Sequence, residues 1–445
     1  MGSGLTKAVL IIILSLFLSS ALPATMTMSP LEASTSQASF THGNHAYSLP
    51  PSTIWNRTYG GPGDDHAKSL VQTSDGGYAL GGTYYSSPGH FWLVKTDSAG
   101  YMKWNRTYVR SPLDAVRSLV QTSDGGYALA GRTMYHDPFW NDDAWLVKTD
   151  SAGNMEWNKT YGGTDEDRAY SVVRTGDGGY ALAGYTRSFG AGNDDFWLVK
   201  TDSAGNMEWN KTYGGPSVDA AYSLVQTRDG GYALAGDTYS FGAGGYDFWL
   251  VKTDYAGGIE WNKTYGATGT DVAHSLIQTT DGGYALAGTT SSFGAGASDA
   301  WFVKTNSSGN MEWNKTYGGA NNEGCLSAVQ TSDGGYALAA YTNSFGAGGT
   351  DAWLIKVGPP RTISELKTEV EDLGLQGEID NKGIAKSLIA KLNVAQKLVD
   401  EGKIDKAKTI LEAFIQQVQN LTGIHITVEA ADILIESVEY IISYL

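Results

Sequence analysis

One five-residue string, W-N-[K/R]-T-Y, occurs six times, with its tryptophans at Trp55, Trp104, Trp157, Trp209, Trp261 and Trp313. The intervals are 49, 53, 52, 52 and 52 residues. A unit of that size cannot bury its apolar face alone, so a chain that repeats it must stack or ring the copies. The module reads W-N-K-T-Y-G-G…D-x-A-x-S-L-V-Q-T-x-D-G-G-Y-A-L-A-G-x-T-x-S-F-G-A-G-x-x-D-x-W-L-V-K-T-D-S-A-G-N-M-E.

Four short strands are legible in it: S-L-V-Q-T, G-Y-A-L-A-G-x-T, x-W-L-V-K-T and N-M-E-W-N-K-T-Y. Each is β-branched or aromatic and bounded by Gly, Asp, Asn or Ser. D-G-G makes a tight hairpin because Gly supplies positive φ, and D-S-A-G-N makes a longer one. Four antiparallel strands repeated at this period are the signature of a propeller blade. The last module stops at Trp353-Leu-Ile-Lys356, while the first W-N-R-T-Y has no module before it. The expectation is a mainly β, six-bladed propeller over 51–357, closed by an N-terminal strand, Ile54–Tyr59, completing the three strands of the last blade. An open solenoid is the rival, but solenoids usually carry atypical polar caps.

Lys7 followed by the apolar run Ala8 to Leu22 reads as a signal peptide over 1–24. An uncleaved anchor is the alternative. Residues 25–50 read as a flexible Ser/Thr-rich leader. The implied location is secreted or attached to a cell surface. The net charge of −16 argues against nucleic acid, which needs a basic footprint. The lone Cys325 cannot form an internal disulfide and reads as a small buried filler.

The tail of each module, as in Lys200-Thr-Asp-Ser-Ala-Gly205-Asn-Met-Glu-Trp209, resembles the Asp…Gly…Trp element of quinoprotein-like propellers. That resemblance implies that the Trp docks one blade on the next, and it transfers no quinone pocket. Two residues between Asp and Gly, and three between Gly and Trp, depart from the sialidase Asp-box.

Two sets of acids gather on one predicted face. Asp65, Asp114, Asp167, Asp219, Asp271 and Glu323 precede the inner strands. His90, Asp143, Asp195, Asp247, Asp299 and Asp351 precede the W-L-V-K strands. As a ligand-binding ring they could hold Ca²⁺ or a hydroxyl-rich or cationic ligand. As turn residues they would accept backbone N–H bonds. Phe189, Phe241, Phe293 and Phe345 of S-F-G-A-G lie on the same face, where they could stack on a sugar or fold back between blades. Modules one and two replace that loop with Tyr84-Tyr85-Ser-Ser and Met134-Tyr135-His136-Asp137-Pro138-Phe139-Trp140, which makes that side the place to look for specificity. The D-G-G aspartates (Asp75, Asp124, Asp177, Asp229, Asp281, Asp333) read as turn residues on the opposite face. The repeated lysines read as solvated ladders or intrablade ion pairs. Asn56, Asn105, Asn158, Asn210, Asn262 and Asn314 each begin an N-x-T sequon inside a predicted strand, so module chemistry explains them better than glycosylation. No nucleophile elbow, zinc motif or phosphate loop is present, so no catalytic residue is assigned.

Beyond the linker 358–361 the pattern turns helical, with helices near 362–373, 381–400, 405–421 and 427–444. Thr362-Ile-Ser-Glu365 is a capping box. The stretch Asn381-Lys-Gly383-Ile384-Ala-Lys-Ser387-Leu388, Gly402-Lys403, Ala413-Phe414-Ile415 and Ile426-Thr-Val-Glu-Ala430-Ala431-Asp432 resembles the FIMAH domain, a helical module of secreted proteins. It implies an accessory or attachment role for 362–445, a small all-α bundle. The functional expectation is an extracellular binding protein for a glycan, protein or cell-surface ligand, monomeric and without a membrane span after signal cleavage. A secreted polysaccharide hydrolase or lyase, and a structural surface-layer or adhesion component, are the alternatives.

Overall fold

The computed structural model of the protein describes residues 56–84, 89–111, 113–136, 140–358 and 362–445. The expected signal peptide and leader, Ile54, Trp55 and residues 359–361 lie outside them.

Residues of the repeat form six antiparallel sheets, each in simple sequence order, which make a six-bladed β-propeller. Blade four is typical, with strands Asp219–Gln226, Tyr232–Thr238, Asp247–Thr253 and Ile259–Tyr265. Its first hairpin turns at Gly230, with φ at 89°. A side chain on the next residue, Gly231, would begin 2.1 Å from the Thr253 carbonyl oxygen. Both glycines of D-G-G are therefore required, the first by backbone conformation and the second by crowding. The other hairpin is tied by Asp254, whose Oδ1 accepts from the Ala256 and Gly258 amides at 2.8 Å.

The first strands of consecutive blades pack on one another, which makes them the inner strands. Ser69, Ser118, Ser223 and Ser275 each accept, at 3.0–3.1 Å, a backbone N–H from the first strand of another blade. Between blades three and four the core is Ala181, Ala183, Phe196 and Leu198 against Leu224, Tyr232, Leu234, Trp249 and Val251. The repeated Trp packs against the next blade. Trp209 meets Tyr232 of the next blade edge-on at 5.9 Å, and the Tyr213 hydroxyl donates to the Gly257 carbonyl at 2.8 Å. Asn158, Asn210, Asn262 and Asn314 of the sequons accept from Trp indole N–H groups at 3.0–3.3 Å.

The repeated lysine of W-L-V-K is buried in blades one to five and makes intrablade ion pairs, while Lys356 of blade six is exposed and still paired with Asp333. Lys252 is 4% exposed and donates to Asp229 at 2.8 Å, Glu260 at 2.7 Å and the Thr253 carbonyl at 2.9 Å. Three acceptors for three N–H donors is what a buried ammonium needs.

The closing strand is corrected. The sixth sheet has three strands, ending in Asp351–Val357, and Asn56–Tyr59 carry no strand. Leu354 is consequently 69% exposed, where Leu250 at the same position of blade four is 0% exposed. The first copy keeps its interblade bond: the Tyr59 hydroxyl donates to the Gly100 carbonyl at 2.6 Å, as Tyr213 does to Gly257. Asn56–Tyr59 are thus tied to blade one without being laddered onto blade six.

The C-terminal region is four helices: α1 (Ile363–Gln376), α2 (Lys382–Asp400), α3 (Ile404–Leu421) and α4 (Val428–Tyr444). The Thr362–Glu365 capping box is formed, and α1 ends at Gly377 with φ at 84°. Leu366, Val370, Leu388, Leu392, Leu411, Phe414, Val418, Leu434 and Val438 make its core. Among the described residues no helix is long and apolar enough to cross a membrane.

Candidate functional site

Of the acids expected as a binding ring or as turn residues, eight are brought together in four pairs between blades, all but Asp143 of them buried. Asp143 and Asp167 flank Gly162, Asp195 and Asp219 flank Gly214, Asp247 and Asp271 flank Gly266, and Asp299 and Glu323 flank Gly318. Asp219 is 0% exposed and accepts from the Gly215 amide at 2.8 Å and from the Thr238 hydroxyl. Asp167 and Asp271 repeat this pattern with Thr186 and Thr290 and add Ser188 at 2.6 Å and Ser292 at 2.7 Å. Glu323 accepts from the Gly319, Asn343 and Ser344 amides at 2.7–3.0 Å. Asp114 is served by Ser111 and the Arg110 amide, and Asp65 by the Gly61 amide. In the second set, Asp195, Asp247, Asp299 and Asp351 accept loop amides from Ala191, Ala243, Gly296 and Ala347. His90 is partly buried. These contacts are those of turn-ordering side chains.

Burial followed by the neighbouring Asp167 pushes the Asp143 carboxyl up to about 6. Burial also raises Asp195 and Asp247, opposed by the amide bonds they accept. Among the described residues no group of three or more His, Cys, Asp or Glu is arranged to hold a metal ion. The S-F-G-A-G phenylalanines fold back as their own blades' covers: Phe189, Phe241, Phe293 and Phe345 pack on Trp197, Trp249, Trp301 and Trp353 at 5.2–6.1 Å.

Chemical asymmetry sits elsewhere. Each inner strand carries a β-bulge at one module position. The bulged residues are Lys68, Arg117, Tyr170, Tyr222, His274 and Leu326. A bulge leaves its residue outside the ladder and re-aims its side chain. All six are half-buried on the inner strands, which makes them the channel wall. Neighbours touch from blade to blade: the Arg117 guanidinium lies 5.4 Å from the Tyr170 ring, Tyr170 lies 5.1 Å from Tyr222, and Tyr222 lies 5.8 Å from His274. The wall thus runs from two cations through three aromatics to an aliphatic. Burial, then the adjacent Arg117, holds Lys68 below the ordinary lysine range. Burial pushes the His274 imidazole down to about 4, so it is neutral at neutral pH.

Behind the wall, blades two and three hold a chain of ion pairs. Asp142, 1% exposed, bridges Arg132 and Arg168 at 2.5 Å each. Glu166 links Arg168 to Arg187, and Arg187 reaches Asp194. Arg168 also lies over Tyr185, which packs on Tyr170 of the wall. Asp237 is buried beside Tyr222, shares a hydrogen bond with it, and has one oxygen without a partner. Burial raises its carboxyl to about 7.

The wall does not show among the residues that recur. Its signal was present: the x of A-x-S changes chemistry in nearly every copy, inside a stretch otherwise almost constant.

A family model for the FIMAH domain matches residues 363–443. No curated protein matches the chain. Similar solved structures include a protein of unknown function from Dyadobacter fermentans, 14% identical with a TM-score of 0.43, covering 65% of this chain and 93% of that one. An α-L-arabinanase from Penicillium chrysogenum, complexed with arabinobiose, is 10% identical with a TM-score of 0.44, covering 65% and 92%. A glucose dehydrogenase is 12% identical with a TM-score of 0.39, covering 66% and 98%.

Proposed function

We propose that the chain is an extracellular binding protein whose ligand seats on the channel wall of the propeller. The carrying observation is the bulge series, where one structural position presents Lys68, Arg117, Tyr170, Tyr222, His274 and Leu326 in turn. Recognition needs an asymmetric constellation, and the near-identical modules supply one here. The signal-like N-terminus supports an extracellular setting, and the FIMAH match at 363–443 supports an accessory role for the helical region. Glycan and surface-protein arrays with the full chain test the reading. Binding that is lost in Tyr170→Ala, with melting unchanged, supports it; a chain that binds nothing on either array sinks it.

A second reading is favoured by Asp237, a buried carboxyl held near neutrality against a tyrosine of the wall. Such a group suits proton transfer in polysaccharide cleavage. Turnover on a polysaccharide panel that disappears in Asp237→Asn would establish the enzyme. Binding without turnover would leave the first reading standing.

A further inference from the structure

We infer that the channel wall takes a carbohydrate bearing a single carboxylate, held by Lys68 and Arg117 with a sugar ring laid on Tyr170 or Tyr222. The inference rests on the wall being the ligand seat. The repeated lysines of the W-L-V-K strands are paired, as Lys148 is with Asp124 and Glu156. The arginines behind the wall are paired too, with Asp142, Glu166 and Asp194. Lys68 and Arg117 differ: they are half-buried neighbours of like charge, and among the described residues neither has a salt-bridge partner. Removing two like charges from water without a counter-charge is costly, and an anion between them removes that cost. A carboxylate matches the guanidinium fork with two parallel N–H bonds.

The same wall gives the rest of the ligand. Tyrosines offer apolar ring faces to the C–H face of a sugar and a hydroxyl at their rim. Neutral His274 adds a hydrogen-bonding group without a third charge. A polyanion fits poorly. The chain carries a net charge of −16, and Asp64 and Asp165 are exposed on the loops that lead into the inner strands of blades one and three. Many negative charges on one ligand would meet that field, whereas a lone carboxylate sits within reach of two cations.

The test is titration calorimetry of the full chain with an oligosaccharide carrying one uronic acid, with its carboxyl-reduced counterpart, and with a sulfated polysaccharide. The expected result is roughly tenfold or more tighter binding of the acid than of its reduced form, the size of one charge-assisted hydrogen bond. Arg117→Ala should abolish that difference, Arg117→Lys should restore part of it, and all variants should melt as the native chain does. Equal binding of the reduced sugar, preference for the sulfated polymer, or a difference that survives Arg117→Ala overturns the acidic-sugar assignment while leaving the seat. Absence of binding to every sugar, with binding to a protein ligand that Tyr170→Ala abolishes, overturns the carbohydrate class alone. Binding that Tyr170→Ala does not alter overturns both.

Discussion

Two positions on the same inner strand behave in opposite ways. The acid at the strand entry is Asp or Glu in all six blades, is buried in most, and spends its oxygens on turn amides and hydroxyls. Three residues on, the bulged residue is a different chemistry in nearly every blade and faces the channel. In this duplicated array the repeated position orders each blade's turns, and the variable one alone gives the wall its chemical asymmetry, which is why the proposed ligand seat is placed there.

Substitutions at constant positions should cost stability and those at variable positions should not. The largest effect is expected at Gly231, where a new Cβ would lie 2.1 Å from the Thr253 carbonyl oxygen. Gly231→Ala should lower stability by about 3 kcal/mol, read as loss of soluble protein or a large fall in Tm. Asp219→Ala strips the Gly215 amide and Thr238 hydroxyl of their acceptor and should cost about 2 kcal/mol by denaturant titration. Tyr213→Phe removes one interblade bond and should cost about 1 kcal/mol in the same assay. Arg117→Ala or Tyr170→Phe should stay within about 0.5 kcal/mol. If the bulge variants unfold the chain and Asp219→Ala does not, the comparison is wrong.

The acids also set a pH signature. The Asp143 carboxyl is raised from 3.8 to about 6, so the folded chain holds this proton more tightly than the unfolded one. Its penalty is therefore absent below about pH 4 and fully developed above about pH 6. Asp124, Asp177 and Asp229 act in the opposite sense. Their lysine and threonine bonds outweigh desolvation and lower them to about 2, so their contribution is lost as pH falls from about 4 through 2. The Tm should peak between these windows, and Asp143→Asn should flatten its decline from pH 4 to 6. An unchanged slope in that variant would remove the buried pair from the account.

Much of this was legible in the residues. The spacing of W-N-[K/R]-T-Y set six blades, D-G-G set the hairpins, and Thr362-Ile-Ser-Glu365 opened the helical region. Cys325 is the buried filler it was expected to be, 0% exposed with its thiol pushed up to about 12. The rest was open or hidden. A solvated and an ion-paired lysine read alike in W-L-V-K, and Asp229 of the hairpin turn and Glu260 of the last strand decide for the pair. The two acid sets read as a ring or as turn residues, and a linear module does not show that Asp195 of one blade meets Asp219 of the next. The bulge is a property of backbone pairing, so only the structure turns the x of A-x-S into a wall. The Ile54–Tyr59 strand followed from counting fragments, and a count carries no information on whether Asn56–Tyr59 ladder onto Asp351–Val357.

The most direct measurement erases the asymmetry and leaves the repeat intact. A variant carrying Lys68→Tyr, Arg117→Tyr and His274→Tyr gives five blades the same bulged residue. It keeps all six strand-entry acids. Native melting and loss of binding on the glycan and protein arrays are expected. Binding retained at native affinity, with the fold intact, would contradict the wall as ligand seat.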